Sequence, residues 1–359
     1  MNSVHVSRRL MQAFTAIGLK ASKPQRRNLA MLCYALAVSP NCHLATLALN
    51  LPIQAQRDSL VQRLYRLLIN EHLHPWRCYQ PLVRHLFAHW TGREVSLILD
   101  RTDIEDRWSI LVLGAAYRKR VLPIAWEVLP FGGTSAARQM ALLKQVQPAL
   151  PPLRKVRVHL YADSEFRAVS VQQMAQGYGW HWHIGLKSDM LFHPGDGHWR
   201  PLRSITPPSG EWYPVPDVIL TRDHAFGPVN LMAYQPPDAT DTPRYWSLDQ
   251  PVNKHAWRRG RKRFWVEPTF RDWKSYGFDL ECTQIDDPQR LDVLMLGIAT
   301  TTVWLIHVGD WLTRHGRRHW LEAEHRNDYS IFRLGRDHLQ RTRTIDCTVP
   351  IGFTVSHAT

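Results

Sequence analysis

Two aspartates, each at the end of a short apolar run, are the residues of this chain whose type and placement best suit chemistry: Asp100 closes EVSLILD and Asp163 closes VRVHLYAD. Carboxylates held close together repel one another, and divalent cations, which take hard oxygen ligands, relieve that repulsion. A third acid, Glu267, lies in GRKRFWVEPTFRDWK, with Arg263 four residues before it and Lys274 seven after it. On a helix that spacing puts all three near one face, where Arg263, Lys274 and the intervening Arg271 can hold phosphates. Two ions about 3.5 to 4 Å apart activate a water or a 3′-hydroxyl and stabilise the leaving oxygen of an in-line phosphoryl transfer. No protein nucleophile is then needed. Consistently, the chain has no GxSxG elbow, no Walker A loop, no HExxH and no Cys/His pattern at metal spacing. His315 and His319 stand in a run of arginines without a third ligand and read as basic surface.

Each acid taken singly has a plainer reading, since an Asp after a strand usually caps a turn. Asp103, Glu165 and Asp272 lie within a few residues of the chosen three and read as local salt-bridge or capping residues. Thr102 and Ser164 stand beside the acids as residues that orient ligands or scaffold turns.

The elements around the acids give this placement its meaning. From residue 94 the pattern is EVSLILD, WSILVLGAAY and VLPIAWEVL, three strands rich in Val, Ile, Leu and aromatics. A helix from Ser135 to Leu150, the strand VRVHLYAD, the helix FRAVSVQQMAQGYG and the strand WHWHIGLK follow. Three strands and then alternating helix and strand match the ribonuclease H order, an α/β architecture. In that order the first and fourth strands are parallel neighbours at a topological switch point, where open α/β sheets place their sites. Asp100 and Asp163 are therefore expected side by side, each at a strand end.

Residues 1–90 read as all-helical, with apolar residues at helical spacing in RRNLAMLCYALAV and RDSLVQRLYRLLI. Between them HLATLALNLPIQAQ gives a short helix and a turn, the order of a helix-turn-helix. In the last of these helices Leu60, Val61, Leu64, Leu67 and Leu68 are expected inward, and Ser59, Gln62, Arg63 and Arg66 outward. Those outward residues either enter a DNA groove or form an ordinary solvated face. Residues 91–189 are expected to form the first part of the core, and 190–256, punctuated by prolines, an inserted β-rich subdomain with runs such as DVILT and NLMAY. The core resumes over 257–315 with a basic helical segment and a buried helix at Val293 to Val308, and 316–359 is a basic C-terminal segment.

Bulk composition suits this picture. Lys and Arg outnumber Asp and Glu by 45 to 31, a formal charge of +14, which favours a polyanionic partner, nucleic acid first, over a merely basic solvated surface. Five scattered cysteines without a CxxC pair read as reduced thiols of a cytoplasmic protein. The start of the chain lacks the continuous apolar stretch of a signal peptide, and Val293 to Val308 is short for a bilayer span of ~20 residues.

At the third acid the chain resembles the insertion-sequence transposases of the IS-four family, a group of DDE transposases. Their signature is Tyr, two residues, Arg, three residues, Glu, six residues, Lys. Arg263, Glu267 and Lys274 stand in register with it, and Gly260 occupies the Tyr position. The resemblance extends over LDRTD, YADSEFR, RYWSLDQ and VEPTFRDWKSYGFDLE. It implies a ribonuclease H-like catalytic core with an inserted β-rich subdomain and an N-terminal DNA-binding domain. It also implies two Mg²⁺ (or Mn²⁺) ions on Asp100, Asp163 and Glu267, and a homodimer on double-stranded DNA that cuts at terminal inverted repeats, passes through hairpin ends and joins them to target DNA. The insert would contact end DNA and supply an aromatic for a flipped base, with Trp199, Trp212 and Trp246 as candidates and the hydrophobic core as their alternative role. Other readings are a ribonuclease H-like nuclease with the same site, and an inactive DNA-binding descendant.

Overall fold

In the computed structural model, residues 3–238, 242–323, 325–345 and 347–357 are described. Five helices come first: α1 (Ser3–Ile17), α2 (Lys23–Val38), α3 (Leu44–Leu49), α4 (Arg57–Leu68) and α5 (Pro75–Ala88). Helix α2 starts at a reciprocal cap in which the Ser22 side chain accepts from Gln25 N and the Gln25 side chain accepts from Ser22 N. From Leu29 to Val38 every residue of α2 is buried. On α4, Leu60, Leu64, Leu67 and Leu68 are buried and Val61 is half-buried, whereas Ser59, Gln62 and Arg66 are exposed. The 3.6-residue apolar stripe was therefore a faithful guide to this helix.

The sheet is built from β1 (Glu94–Ile104), β2 (Trp108–Tyr117), β3 (Arg120–Pro130), then, after α6 (Ala136–Val146), β4 (Arg157–Ala162), and after α7 (Val169–Gly177), β5 (His181–Leu186). Strands β6 (Leu191–His193), β7 (Arg200–Pro201), β8 (Trp212–Leu220), β9 (Phe226–Tyr234) and β10 (Arg244–Leu248) follow. All ten form one sheet in the order β3-β2-β1-β4-β5-β10-β9-β8-β6-β7. Strands β1 and β4 are parallel neighbours, as expected. Strand β10 pairs antiparallel with β5, so the proline-punctuated stretch 190–256 extends the same sheet. Strands β1 to β3 are buried along most of their length, which requires cover on both faces. At the far end β8 is largely exposed over Trp212–Asp217.

Strand β1 departs from expectation. It does not stop at Asp100 but runs on to Ile104, paired with β2 through Asp103↔Ser109 and Ile104↔Trp108. Hairpin pairing carries the polar residues Arg101 to Asp103, although the apolar pattern has ended. The parallel ladder with β4 does end here, at Leu99↔Ala162, so Asp100 and Asp163 are the first residues beyond it on either strand.

The basic segment forms α8 (Lys254–Gly260), a 3₁₀ turn over Arg261–Trp265, α9 (Val266–Arg271) and a π-turn over Asp272–Tyr276. Pro268 sits in the first turn of α9, where its missing N–H leaves no hydrogen bond unmade. A basic helical segment with Arg263, Glu267 and Lys274 near one face was the expectation; three helical geometries share that segment.

Helix α10 (Pro288–Arg314) is capped by Asp287, whose Oδ1 accepts from Arg290 N at 2.8 Å. It is long and apolar enough to cross a membrane by composition, but 89% of its most apolar window is buried inside the protein. One hydrophobic core joins α2, the sheet and α10, with Trp304 and Leu32 fully buried in it. Helix α11 (Ile331–Arg341), together with the buried Val349 and Phe353, closes that core.

Candidate active site

The end of the β1/β4 ladder sets the geometry of the acids. Asp100 Oδ1 accepts from the N–H of Arg101 at 2.8 Å, and Asp163 Oδ1 accepts from the N–H of Glu165 at 2.8 Å. One oxygen of each carboxylate is thus fixed by backbone, and the other turns to a common partner. The Arg263 guanidinium nitrogen Nη2 lies 3.4 Å from Asp100 Oδ2 and 3.2 Å from Asp163 Oδ2, while its Nη1 lies 3.4 Å from Glu267 Oε1. Three acids from three distant stretches of chain converge on one cation. The approach of the Asp163 turn to β5 requires a glycine there, because a Cβ on Gly185 would lie 2.7 Å from Ser164 N and 3.0 Å from the Asp163 carbonyl carbon.

Burial pushes the Asp100 carboxyl up to about 6; Arg263 and the Arg101 N–H pull the other way, and Asp163 and Glu267 add to the rise. Asp100 is thus a carboxylate short of positive charge even with Arg263 beside it. Glu267 is the most open of the three, with 52% of its side chain exposed. Arg263 Nε is buried and lacks a hydrogen-bond partner.

The neighbouring acids are engaged elsewhere. Glu165 and Asp103 both pair with Arg101 at 3.2 Å, and Glu165 also accepts from the N–H of Thr134 at 3.1 Å. Asp272 pairs with Arg120 at 2.5 Å. These ion pairs brace the turns that carry the site without facing Arg263.

Lys274, placed by its spacing on the same face as Glu267, instead holds Glu281 at 3.0 Å from the π-turn. Arg271 is exposed and lines a separate cleft of about 540 Å³ with Arg120, Arg333 and Arg336.

A cleft of about 640 Å³ opens beside Asp163 and Arg263. Its walls include Trp246, Trp257, Tyr234, His183 and Phe264. Trp246 and Trp257 meet edge to face with centroids 5.8 Å apart, and Tyr234 lies 4.5 Å from Trp257. Of the three candidate tryptophans Trp246 alone lines this cleft; Trp199 packs on His193 and Trp212 on the small apolar cluster of Met232, Leu248 and Ala256. Trp257 and Tyr234 escaped the sequence reading, since only the pairing of β9 with β10 and the docking of α8 bring them here. Gly260, at the signature tyrosine position, abuts the buried ring of His183: a Cβ there would lie 2.2 Å from His183 Cε1. Burial lowers His183 to about 3, so the ring that takes this space is neutral.

In the helical region, a cleft of about 1190 Å³ between α1, α2 and α4 is lined by Arg8, Lys23, Arg27, Arg63 and Arg66, with no acidic residue among the described residues of its lining. Arg63 is half-buried and donates to Asn28 Oδ1 at 3.0 Å; Gln62 is exposed on α4 but outside the cleft. Arg8, Lys23 and Arg27 were not legible as partners of Arg63 and Arg66, because α1 and α2 reach α4 only through tertiary packing.

No family model and no curated protein matches the chain. Among solved structures, a piggyBac transposase in a synaptic complex with hairpin DNA is similar with a TM-score of 0.48 and 12% identity, over 95% of this chain and 80% of that one. At that distance the functional reading rests on the chain's own residues.

Among the described residues no three His, Cys, Asp or Glu side chains are close enough as they stand to hold a metal ion. The spacing of Asp100, Asp163 and Glu267 is that of a cage around a guanidinium. Their donor chemistry, carboxylate oxygens with one buried member held against its preference for neutrality, fits a hard divalent cation in place of that guanidinium.

Proposed function

We propose that this chain is a DDE transposase, with Asp100, Asp163 and Glu267 as metal ligands and catalytic residues and with Mg²⁺ (or Mn²⁺) as its cofactor. The observation that carries the reading is the convergence of the three carboxylates on Arg263. Here a single arginine faces three acids, an excess of negative charge that a divalent cation would satisfy. Two bound ions would supply the activated oxygen nucleophile and the stabilised leaving oxygen of phosphoryl transfer.

The chain's own residues then have distinct tasks. The N–H groups of Arg101 and Glu165 orient Asp100 and Asp163 so that Oδ2 of each faces the reaction space. Arg263, released from the carboxylates as the cofactor takes its place, is free to hold a phosphate beside the cut, and Lys274 does the same on leaving Glu281. Trp246, with Trp257 and Tyr234, offers an aromatic-walled cleft for an unpaired base next to Asp163. The basic cleft carrying Arg63 and Arg66 grips the element's end in the duplex, with Gln62 and Arg271 as further contacts.

The strand order β3-β2-β1-β4-β5 supports a ribonuclease H-like core, with 1–90 as the DNA-binding unit, 91–189 and 257–315 as the core, 190–256 as its β-rich insert and 316–359 as a basic C-terminal segment. Terminal inverted repeats and target DNA as partners, a homodimer on DNA, hairpin ends and a cytoplasmic location complete the proposal, on the strength of the resemblance at Arg263, Glu267 and Lys274.

The test compares Asp100→Ala, Asp163→Ala and Glu267→Ala for nicking of a labelled element end with Mg²⁺ and for affinity by gel shift. Each is expected to lose nicking and keep binding. Normal nicking by any one of them removes that residue from the site.

A further inference from the structure

Cys42, in the turn between α2 and α3, and Cys282, at the end of a 3₁₀ turn over Leu280–Cys282, are far apart in sequence and meet in the fold. Both converge on one carbonyl: the Asp279 oxygen lies 3.5 Å from Cys42 Sγ and accepts from Cys282 N at 3.2 Å. Asp279 adopts a left-handed backbone, with φ of 49°, which helps to shape the turn. The Cys42 thiol also hydrogen-bonds the Cys282 sulfur, and the N–H groups of Cys42 and His43 point at that same sulfur.

The two thiols are therefore unlike. The hydrogen bond from Cys42, with help from the two backbone N–H groups and against burial and Asp279, brings Cys282 down to about 7. Cys42 is pushed well above its ordinary range, by that same hydrogen bond first and by burial second. Cys42 is 1% exposed, whereas Cys282 is half-buried and open to small solutes. The more open thiol of the pair is thus also the more acidic one, and it touches a partner that is sheltered from solvent. Cys33 and Cys78, by contrast, are fully buried and raised to about 12 by burial.

We propose that Cys42 and Cys282 form a reversible redox site, in which a peroxide joins them as a disulfide that pins the α2–α3 turn to the segment carrying Glu281 and Lys274. The Cys282 thiolate attacks the peroxide; its sulfur is oxidised to a sulfenic acid, and the O–O bond is reduced with departure of hydroxide. The Cys42 sulfur then attacks the Cys282 sulfur, the S–S bond forms, the S–O bond breaks, and the departing hydroxide takes the Cys42 proton to leave as water. A dithiol reductant reverses the link. The fixed residue adjoins Glu281, the ion-pair partner of Lys274, so oxidation restrains the turn on which Lys274 depends. This site stands apart from the reading of the three acids.

The test uses the folded full-length protein, treated with hydrogen peroxide, blocked with a maleimide, digested without reductant and read by mass spectrometry. The expected result is a Cys42–Cys282 linked peptide, with loss of maleimide labelling at Cys282 and return of both on treatment with dithiothreitol. In Cys42→Ser the link is lost and Cys282 is trapped by dimedone as its sulfenic acid; in Cys282→Ser Cys42 stays unmodified. The proposal is overturned if the parent yields no linked peptide, whether because Cys282 stops at sulfenic acid or stays reduced, or if Cys347 is oxidised ahead of Cys282.

Discussion

Replacing Asp100 by Asn should make the metal-free protein more stable while abolishing its chemistry. Burial holds the Asp100 carboxyl at about 6, against an ordinary 3.8. At about 1.36 kcal/mol per unit of pKa, the ionised side chain costs the native state about 3 kcal/mol even after Arg263 has contributed its attraction. Because the folded value is raised, the native state binds this proton more tightly than the unfolded chain. The cost is therefore absent well below pH 4, grows through the interval from 3.8 to about 6, and is complete above it. Asparagine has nearly the same shape and no charge at any pH. With a chelator present, Asp100→Asn should exceed the parent by about 3 kcal/mol at pH 7.5 and by only about 1 kcal/mol at pH 4.5. An unfolding entropy of roughly 2.1 cal/mol/K per residue turns the larger difference into a melting temperature about 4 °C higher. Added Mg²⁺ should raise the parent and leave the variant nearly unmoved, closing the gap. Calorimetry at the two pH values, with chelator and then with Mg²⁺, gives all the comparisons. A variant less stable than the parent at pH 7.5, or a gain equal at both pH values, would show that Arg263 already neutralises Asp100 and that the site has no charge left for a metal to satisfy.

Gly260→Ala should be destabilised by about 1 to 3 kcal/mol in denaturant unfolding, as the new methyl collides with the His183 ring, and the double variant with His183→Ala should recover part of that loss. No recovery would mean that the ring is not the obstacle. Arg63→Ala and Arg66→Ala should each weaken binding to element ends and to random DNA alike and lower the salt slope by about one unit, whereas loss for the end sequence alone, about 1 to 3 kcal/mol, would identify a base contact instead. Lys274→Ala, which breaks a partly exposed pair with Glu281, should cost at most about 1 kcal/mol of stability yet remove most strand cleavage. Parental cleavage by this variant would make the signature match coincidental. Trp246→Ala should lose about 1 to 3 kcal/mol of affinity for ends that carry an unpaired base, with Trp246→Phe retaining most of it. An equal loss on fully paired duplex would place Trp246 outside base stacking.

The sequence by itself determined the elements whose identity lies in short-range geometry. The apolar stripe of α4 and the buried runs of β1 to β5 follow from the side-chain periods of helix and strand, which are properties of the chain within a few residues. The nearness of Arg263 to Glu267, four residues on, was legible for the same reason, although the sequence assigned Arg263 to phosphates and not to an ion pair. Tertiary structure decided what depends on partners. Strand β1 continues past Asp100 because β2 supplies a ladder for polar residues that carry no apolar signal, and the true end at Asp100 is that of its pairing with β4. Lys274 left the face shared with Glu267 because the segment passes from α9 into a π-turn and Glu281 offers an opposite charge. Cys42 reached Cys282, and Arg8 came to line one cleft with Arg66, across long stretches of intervening chain, while Trp257 reached Trp246 by the docking of α8 beside β10. Such contacts are fixed by which apolar faces bury each other, and the linear order of residues records the faces without recording their mates.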